Sequence, residues 1–255
     1  MGRPFTHAIV RPPSASFAQG ISAANEGAPD LNLALEQHAR YCEALRDCGL
    51  QVTSLEPDPQ YPDGTFVEDT AVITERGAIL ARPGAPSRTG EVAGIGIALQ
   101  HFFSGLTHIT APGTLDGGDI CQADEHFLIG VSARTNEQGA EQLAACLSRW
   151  NYTASIIDIR SSAGLLHLKT GIAYLGDGMG VALDRELAPF RDTVVVAAEE
   201  AYAANCVRIN DTVLLAAGYP RVRDALEQKG CKLLMLQMSE FRKMDGGLSC
   251  LSLRF

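Results

Sequence analysis

The chain has 255 residues, of which 46% are hydrophobic and 20% charged, a composition typical of globular proteins and not of disordered or fibrous ones. Thirty acidic and 21 basic side chains give a formal net charge of -9. Such a chain repels phosphate backbones and anionic membranes but attracts cations. We therefore expect neither a nucleic-acid partner nor a membrane partner, and the charge is compatible with a small cationic substrate.

Cysteine usage and the first residues indicate the compartment. The 7 cysteines are an odd number without C-x-x-C spacing, and the opening MGRPFTHAIVRPP lacks the apolar stretch of a secretory signal. No apolar run approaches the roughly 20 residues that cross a bilayer. These features predict a cytoplasmic protein in a reducing environment.

A repeated unit organises the chain. No linker rich in Pro, Gly or Ser divides residues 1–255, which predicts one domain. Four copies of a strand, turn, strand, helix and strand unit begin near residues 69, 117, 169 and 204. Their turns are predicted at Glu75–Gly77, Asp124–Glu125, Asp177–Gly178 and Asn210–Asp211. Helices are predicted over 91–103, 136–150 and 219–229, with a short one in the third unit.

The fifth unit combines the two ends of the sequence. GLSCLSLRF and THAIVRP are strand-like, and LNLALEQHARYCEAL and QVTSLEP follow as a helix and a strand. Asp30 is the predicted N-cap of this helix, and an apolar stripe is predicted at Leu31, Ala34, Leu35, Cys42 and Leu45. Five such units around an axis form an α/β propeller, a ring of ββαβ units whose hairpin ends meet at a central cavity. The functional site is expected there.

Six polar clusters lie at predicted strand ends or turns. They are YPDGTFVEDT (61–70), RPGAPSRTGE (82–91), PGTLDGGD (112–119), SARTN (132–136), LLHLKTG (165–171) and MDGGLSC (244–250). Cys250 follows two glycines, which suits an exposed nucleophilic thiol, although many cysteines are small buried hydrophobes. His167 lies in a strand-like run and is a candidate base, the alternative being a hydrogen-bonded core histidine.

In order and spacing these clusters resemble the guanidino-group-modifying enzymes of the pentein fold, and most closely the dimethylarginine dimethylaminohydrolases. The resemblance runs from the N-terminal strand to SCLSLRF. It implies a five-fold pseudo-symmetric α/β propeller with Cys250 as nucleophile, His167 as acid and base, and Asp116 orienting His167. Some relatives carry glutamate at the Asp116 position. The shorter aspartate requires a closer backbone, which Gly117 and Gly118 would permit.

The resemblance also implies residues that bind an arginine-like substrate. A guanidinium is a planar cation that carboxylates hold in a bidentate manner, and Asp69 is the implied partner. Glu68 stands beside Asp69, and because adjacent residues of a strand face opposite sides, the two are not expected to grip the substrate equally. Arg88 and Arg134 match the arginines that bind the substrate carboxylate, and Asp63 matches the residue near the amino group.

Two further positions complete the predicted site. Asp245 adds a carboxylate near the nucleophile. Ile21 matches the lid position of the family and lies in PPSASFAQGIS (12–22), a small polar segment suited to a mobile flap, with an ordinary surface loop as the alternative.

The reaction implied is hydrolysis of asymmetric dimethylarginine or monomethylarginine to citrulline and dimethylamine or methylamine, through a covalent thiouronium on Cys250. Whether a cationic His167 or the bound substrate favours the thiolate is open at this stage. No cofactor is implied. No metal is expected, since the other histidines, at 7, 38, 101, 108 and 126, lack metal-ligand spacing.

Two alternatives remain at the level of the sequence. An arginine deiminase would use the same residue types, but such enzymes usually carry an additional helical segment for which this chain has no room. A non-catalytic pentein acting as a binding protein would not need the combination of Cys250, His167 and Asp116. The resemblance also suggests a homodimer.

Overall fold

The computed structural model describes residues 4–162 and 164–255, which form five three-stranded sheets. The strands are β1 His7–Val10, β2 Gln51–Ser54, β3 Ala71–Thr74, β4 Gly77–Leu80, β5 Leu106–His108, β6 Ile120–Ala123, β7 His126–Val131, β8 Thr153–Asp158, β9 Ile172–Gly176, β10 Met179–Ala182, β11 Asp192–Val195, β12 Val207–Ile209, β13 Thr212–Ala216, β14 Lys232–Leu236 and β15 Leu253–Arg254. The helices are α1 Leu31–Asp47, α2 Glu91–Leu99, α3 Glu137–Arg149, α4 Leu168–Gly171, α5 Pro220–Gln228 and α6 Ser239–Arg242.

Every sheet has the same construction. Two antiparallel strands are followed, after a connection over the outside, by a third strand parallel to the middle one, in the orders β3-β4-β5, β6-β7-β8, β9-β10-β11, β12-β13-β14 and β15-β1-β2. The last sheet joins the two ends of the chain, with Ala8 opposite Arg254 and Ile9 opposite Leu253. The predicted five-fold α/β propeller of ββαβ units is confirmed.

The hairpin turns follow from local chemistry. Asp124, Asp177 and Asn210 have positive φ angles of 54°, 55° and 55°, in the left-handed region that tight hairpins require and that Asp and Asn tolerate better than most residues. These are the turn positions that the sequence predicts.

The apolar core lies between neighbouring sheets and not on the propeller axis. Ile79 of β4 packs in one cluster with Phe127 of β7 and Leu143 of α3, and Leu128 of β7 packs in the next with Ile172 of β9. Five clusters of this kind connect each sheet to the next. Burial of each large aliphatic side chain stabilises the fold by about 1.5 to 3 kcal/mol. The polar clusters lie at the axis instead.

Helix α1 shows how far the apolar pattern predicts the buried face. Ala34, Tyr41 and Leu45 are fully buried, but Leu35 is 39% exposed, so the predicted stripe is wrong at Leu35. The buried face follows the residues three and four apart from Ala34 through His38, Tyr41 and Leu45, because Tyr41 and His38 supply bulk that a purely apolar count ignores. Helix α2 ends four residues earlier than predicted, whereas α3 and α5 match within one residue at each end.

Asp30 caps α1 as predicted, since its Oδ1 accepts hydrogen bonds from the backbone N–H groups of Asn32 (2.8 Å) and Leu33 (3.1 Å). We expect Asp30→Ala to lower the free energy of unfolding by about 1 kcal/mol because two N–H groups lose their acceptor. Asp30→Asn keeps an acceptor and should retain most of the stability. Urea unfolding measures both, and equal losses in the two variants would contradict the capping argument.

Candidate active site

The six polar clusters meet at a cavity of about 380 Å³. Its lining residues are Ile21, Asp63, Phe66, Asp69, Arg88, Asp116, Arg134, Leu166, His167, Met244, Asp245, Gly246 and Cys250. Nine of the ten residues predicted from the sequence are among them, and the tenth, Glu68, is not. The clusters flank strands of several sheets, so the propeller brings together residues that are far apart in the sequence.

Glu68 and Asp69 lie in the 3₁₀ turn Val67–Thr70, so their predicted placement in a strand is wrong. Successive residues of a 3₁₀ turn are rotated by about 120°, and this rotation still sends the two carboxylates in different directions. Asp69 faces the first cavity, whereas Glu68 faces an adjoining cavity of about 390 Å³. The two carboxylates therefore face different cavities, and a difference in their roles stays a prediction.

Asp69 is buried and holds two partners. Its Oδ1 accepts a hydrogen bond from Gly118 N–H at 2.9 Å, and its Oδ2 pairs with Arg88 Nη1 at 2.6 Å. A methyl group on Gly118 would lie 2.8 Å from Asp69 Oδ1 and 2.8 Å from His167 Nδ1. Only glycine permits this approach of backbone, carboxylate and imidazole.

His167 is the N-cap of α4 and not a strand residue, which corrects the sequence-based interpretation. The turn forms because Thr170 Oγ1 accepts from His167 N–H (3.3 Å) and Thr170 N–H donates to the His167 carbonyl (3.0 Å). His167 Nε2 donates to Asp116 Oδ2 at 3.1 Å, and Asp116 Oδ1 accepts from Gly84 N–H at 2.8 Å. The imidazole is thereby oriented by a fixed, buried carboxylate.

The charges of this pair follow from its surroundings. Burial lowers the pKa of His167, but the charge of Asp69, the hydrogen bond to Asp116 and the charge of Asp119 outweigh it and raise the pKa to about 9. Burial raises the pKa of Asp116, yet the hydrogen bond to His167 and its charge bring that pKa below the ordinary value. At neutral pH the pair is an imidazolium and a carboxylate.

Cys250 occupies the 3₁₀ turn Ser249–Leu251, and its Sγ accepts a hydrogen bond from Gly247 N–H at 3.4 Å. Burial, and then the charges of Glu68 and Asp69, raise the pKa of the thiol to about 12. Without a bound ligand Cys250 is therefore protonated at neutral pH. Gly247 has no room for a side chain, since an added methyl group would lie 2.4 Å from Asn205 Oδ1.

Arg88 is buried between two carboxylates. Its Nη1 pairs with Asp69, and its Nη2 and Nε donate to Glu91 at 2.8 and 3.0 Å. Nη2 also donates to the Phe66 carbonyl at 3.0 Å. Burial lowers the pKa of Arg88, but Asp69 and Glu91 more than compensate and hold it well above its usual value. Of the five guanidinium N–H groups, one on Nη1 keeps no partner among the described residues.

Arg134 has a different environment. Its side chain is half-buried, lines the cavity and forms no ion pair in the part of the chain that the structure describes. The segment that carries it is fixed, because Ser132 Oγ accepts from the backbone N–H of Arg134 at 2.9 Å and donates to Asp119 Oδ2 at 2.7 Å. Arg134 therefore directs a positive charge to the cavity that no ion pair among the described residues uses.

Two cavity carboxylates accept backbone hydrogen bonds from the end of the segment 12–22 and from Ala23, the second residue after Ile21. Asp63 Oδ1 accepts from Ile21 N–H at 3.0 Å, and Asp245 Oδ2 accepts from Ala23 N–H at 2.6 Å. Burial raises the pKa of Asp63. Phe17 is buried in the core, whereas Ile21 is 43% exposed at the cavity. Movement of this segment as a lid stays a prediction.

Some residues of the site were not found from the sequence. Asp119 is buried and accepts from Thr135 Oγ1 and Leu168 N–H, so it fixes the start of α4. Glu91, the partner of Arg88, could have been found from its spacing of three residues from Arg88 at a predicted helix start. Phe66, Leu166 and Met244 form apolar walls, and no sequence signal separates them from core residues.

Asp69, Asp116 and His167 also place ligand atoms within 4.8 Å of one another, as a metal site would. Metals bind neutral imidazole, whereas the pKa of His167, about 9, keeps this imidazole protonated at neutral pH. Asp69 and Asp116 are already acceptors for Arg88, Gly118 and Gly84. The chemistry favours a cation with N–H donors, such as a guanidinium, and the expected absence of a metal stays a prediction.

A five-fold α/β propeller with a thiol, an imidazolium and carboxylates on its axis defines the pentein class of guanidino-group-modifying enzymes. The sequence model of the arginine deiminase family matches residues 58–188. The N(G),N(G)-dimethylarginine dimethylaminohydrolase of Pseudomonas aeruginosa is 43% identical over 98% of this chain and 100% of its own. That of Streptomyces coelicolor is 32% identical over 98% of this chain and 97% of its own. The chain belongs to the dimethylarginine dimethylaminohydrolase family.

Solved structures agree with this assignment. A cysteine-to-serine mutant of the P. aeruginosa enzyme complexed with citrulline superposes with a TM-score of 0.95 at 41% identity, covering 99% of this chain and 100% of that one. The N-terminal domain of ArgZ, an arginine dihydrolase from cyanobacteria, reaches 0.87 at 18% identity, covering 99% of this chain and 97% of that one, and shows the shared fold alone. Among the described residues no helix has the length and apolar character needed to cross a membrane.

Proposed function

We propose that this protein hydrolyses asymmetric dimethylarginine and monomethylarginine to citrulline and dimethylamine or methylamine, with Cys250 as nucleophile. The observation that carries the proposal is the single cavity in which Cys250, the His167–Asp116 pair and Asp69 meet. Relatives across the full length of the chain bear the name of this activity. One related structure holds citrulline and another is an adduct with S-methyl-L-thiocitrulline.

Substrate orientation follows from the distribution of charge. Asp69 and Asp116 supply negative charge beside Cys250, where a guanidinium fits. Arg134 suits the substrate carboxylate, together with the Nη1 hydrogen of Arg88 that has no partner among the described residues. Asp63, close to Ile21 at the same cavity, suits the ammonium group. The guanidinium carbon is thereby directed to the thiol.

The pKa directions favour the bound substrate as the source of thiolate. Burial and the charges of Glu68 and Asp69 raise the pKa of Cys250 to about 12, so the thiol of the free protein keeps its proton at neutral pH. A guanidinium in contact with the thiol adds a positive charge and lowers that pKa.

The reaction then proceeds in two halves. The thiolate forms a bond to the guanidinium carbon, His167 donates its proton to the substituted nitrogen, and the carbon–nitrogen bond breaks to release the amine. The covalent thiouronium remains on Cys250. Neutral His167 next removes a proton from water, and the hydroxide adds to the same carbon. The carbon–sulfur bond then breaks while the hydroxyl proton passes to solvent, which gives citrulline and the thiolate.

The test is incubation with arginine, monomethylarginine and both dimethylarginines, followed by quantification of citrulline, ammonia and each methylamine. We expect citrulline and dimethylamine in equal amounts from asymmetric dimethylarginine. Preferential release of ammonia from arginine would favour a deiminase, the second candidate, which the match to the arginine deiminase family model over residues 58–188 supports. No citrulline from any of the four would favour a binding protein.

Arg134 and Arg88 are expected to respond differently to replacement. Arg134→Ala should raise KM and lower kcat/KM by about 10- to 1000-fold, because a charge-assisted hydrogen bond to the substrate carboxylate is lost. Its unfolding midpoint should change little. Arg88→Ala leaves Asp69 and Glu91 buried without a cation, so it should also lower the stability, by about 3 to 5 kcal/mol. Steady-state kinetics and urea unfolding of both variants measure the contrast.

The matched ligand for this pair is agmatine, the arginine analogue that lacks the carboxylate. If Arg134 binds the carboxylate, Arg134→Ala should leave agmatine binding nearly unchanged. Equal weakening for arginine and agmatine would contradict the role assigned to Arg134.

We also propose that the chain acts as one catalytic domain, that it is cytoplasmic and that it forms a homodimer. These three statements rest on the unbroken repeat pattern, the cysteine usage and the family resemblance. Sedimentation of the purified protein tests the dimer.

A further inference from the structure

Glu68 is a buried carboxylate with three donors, none of them in the cavity that Asp69 faces. Its Oε1 lies 2.6 Å from Lys169 Nζ and 2.9 Å from Arg254 Nη2, and its Oε2 accepts from Ser249 Oγ at 2.7 Å. The Glu68 side chain is only 5% exposed. A buried carboxylate with this many partners is rigid, since each donor fixes one lone-pair direction.

The partners of Glu68 belong to the segments that carry the reacting groups. Glu68 itself precedes Asp69, Ser249 precedes Cys250, and Lys169 comes two residues after His167. One carboxylate therefore ties together the turn that faces the guanidinium, the turn of the thiol and the helix of the imidazole. A shift of any one segment would break a bond to Glu68.

Arg254 of β15 also contacts the turn Ser249–Leu251, which carries Cys250. Its Nη1 donates to the carbonyl of Ser249 (3.0 Å), to the carbonyl of Ser252 (2.9 Å) and to Ser252 Oγ (2.8 Å). These carbonyls lie on either side of Cys250 in the sequence. Asn205 completes the connection, since its Oδ1 accepts from Ser249 N–H and its Nδ2 donates to the Lys169 carbonyl. The turn of the nucleophile has little freedom to move.

The group next to the Cys250 turn contains one carboxylate, Glu68, and two cations, Lys169 and Arg254. Its net charge is therefore positive. Among the described residues, the titratable and charged groups that line a cavity with Cys250 or otherwise face its turn are Asp63, Glu68, Asp69, Arg88, Asp116, Arg134, His167, Lys169, Tyr202, Asp245 and Arg254. Asp69 lines the substrate cavity, Glu68 and Lys169 line the adjoining cavity, and His167 lines both. Lys169 and Arg254 both pair with Glu68. The two cations offset Glu68, whose charge would otherwise oppose the thiolate.

We propose that Glu68, Lys169 and Arg254 form a clamp that positions the Cys250 turn and fixes the charge beneath its thiol. The three are positioning residues, and Glu68 acts through Ser249 instead of gripping the substrate. The inference rests on the proposed function in taking Cys250 as the nucleophile.

The test uses alkylation of Cys250 by iodoacetamide as a function of pH, with the adduct located by peptide mass spectrometry. It needs no substrate, so it is informative even if the proposed hydrolysis fails. Glu68→Gln keeps an acceptor for Ser249 but removes the negative charge. The apparent pKa of the thiol should fall, and alkylation at pH 7 should accelerate by about tenfold, as expected for loss of one nearby like charge.

Removal of a cation should act in the opposite direction. Lys169→Met and Arg254→Met leave Glu68 less compensated, so the apparent pKa of Cys250 should rise and alkylation at pH 7 should slow by about tenfold. The double variant Glu68→Gln with Arg254→Met should return towards the parent rate. Opposite signs distinguish charge balance from simple loosening of the turn, which would expose the thiol and accelerate alkylation in every variant.

Two further variants separate position from charge. Arg254→Lys keeps the charge but loses the forked bonds to Ser249 and Ser252, so the alkylation profile should stay near the parent while kcat falls about tenfold or more with KM little changed. Arg208→Met is the matched control, because Arg208 also donates to backbone carbonyls, of Leu175 and Asn210, away from the site. The proposal would be overturned if the apparent pKa of Cys250 changed in the same direction in Glu68→Gln, Lys169→Met and Arg254→Met. It would also be overturned if these changes were no larger than the change in Arg208→Met.

Discussion

Cys250→Ser is expected to abolish turnover, with kcat reduced by at least about 10³-fold, while substrate and citrulline still bind. A serine hydroxyl is far less acidic than a thiol, and burial together with Glu68 and Asp69 already raises the pKa of the thiol to about 12. No nearby group can ionise a hydroxyl under these conditions. The oxygen fills nearly the same place beside Gly247 N–H, so the fold and the charges that bind the guanidinium remain.

The matched control is Cys231→Ser. Cys231 is the other cysteine that is only partly buried, and it packs between α5 and β14, outside the cavity. Its variant should keep the parent rate. Rapid quenching of the parent with asymmetric dimethylarginine, followed by mass spectrometry, should reveal a thiouronium on Cys250 and on no other cysteine. Citrulline production by Cys250→Ser at the parent rate, or an adduct elsewhere, would remove the nucleophile assignment.

The parts of the fold that could be predicted depend on local chemistry. Asp124, Asp177 and Asn210 mark hairpin turns because the left-handed conformation selects Asp and Asn over most residues, whatever the rest of the chain does. Repetition of this signal between short apolar runs predicts the ring. The polar clusters then have only one place to meet, and nine of the ten predicted residues line the cavity.

The parts that could not be predicted depend on tertiary contacts. LLHLKTG alternates like a strand, yet a pair of hydrogen bonds with Thr170 makes it the start of a helix. Arg88 is a cavity arginine in the motif, but Asp69, which is 19 residues earlier, and Glu91 use most of its donors. Arg254 contacts Glu68 across 186 residues of sequence. No local sequence pattern predicts a pairing over this distance in the sequence.

Replacement of His167 is the second change with a large expected effect. His167→Asn should reduce kcat/KM at pH 7 by about 10² to 10⁴, the range typical for loss of a general acid and base. The amine would then leave without a proton, and water would attack without a base. Asp116→Asn should produce a smaller loss, since the imidazole stays but loses the carboxylate that orients it and favours its cation.

The pH dependence of kcat/KM tests the roles assigned to His167 and Cys250. In the free protein the pKa of His167 is about 9 and that of Cys250 about 12, so at pH 7 both groups carry their protons. The reaction needs thiolate with imidazolium, which holds one proton fewer than the resting pair. The kcat/KM of the parent should therefore rise about tenfold per pH unit above pH 7 and level off near pH 9, where the pair as a whole has lost one proton.

In His167→Asn only the thiol titrates, and burial together with the charges of Glu68 and Asp69 keeps its pKa well above 9. The rise of kcat/KM should therefore continue beyond pH 9 instead of levelling off. The matched control is His38→Asn: His38 is also buried, but burial lowers its pKa to about 4 and it lies against Cys42, outside the cavity. Rates compared at equal folded fractions should keep the parent profile in this control. If the plateau near pH 9 persisted in His167→Asn, the titration would belong to another group. That group would then also be the donor of the proton that the leaving amine receives.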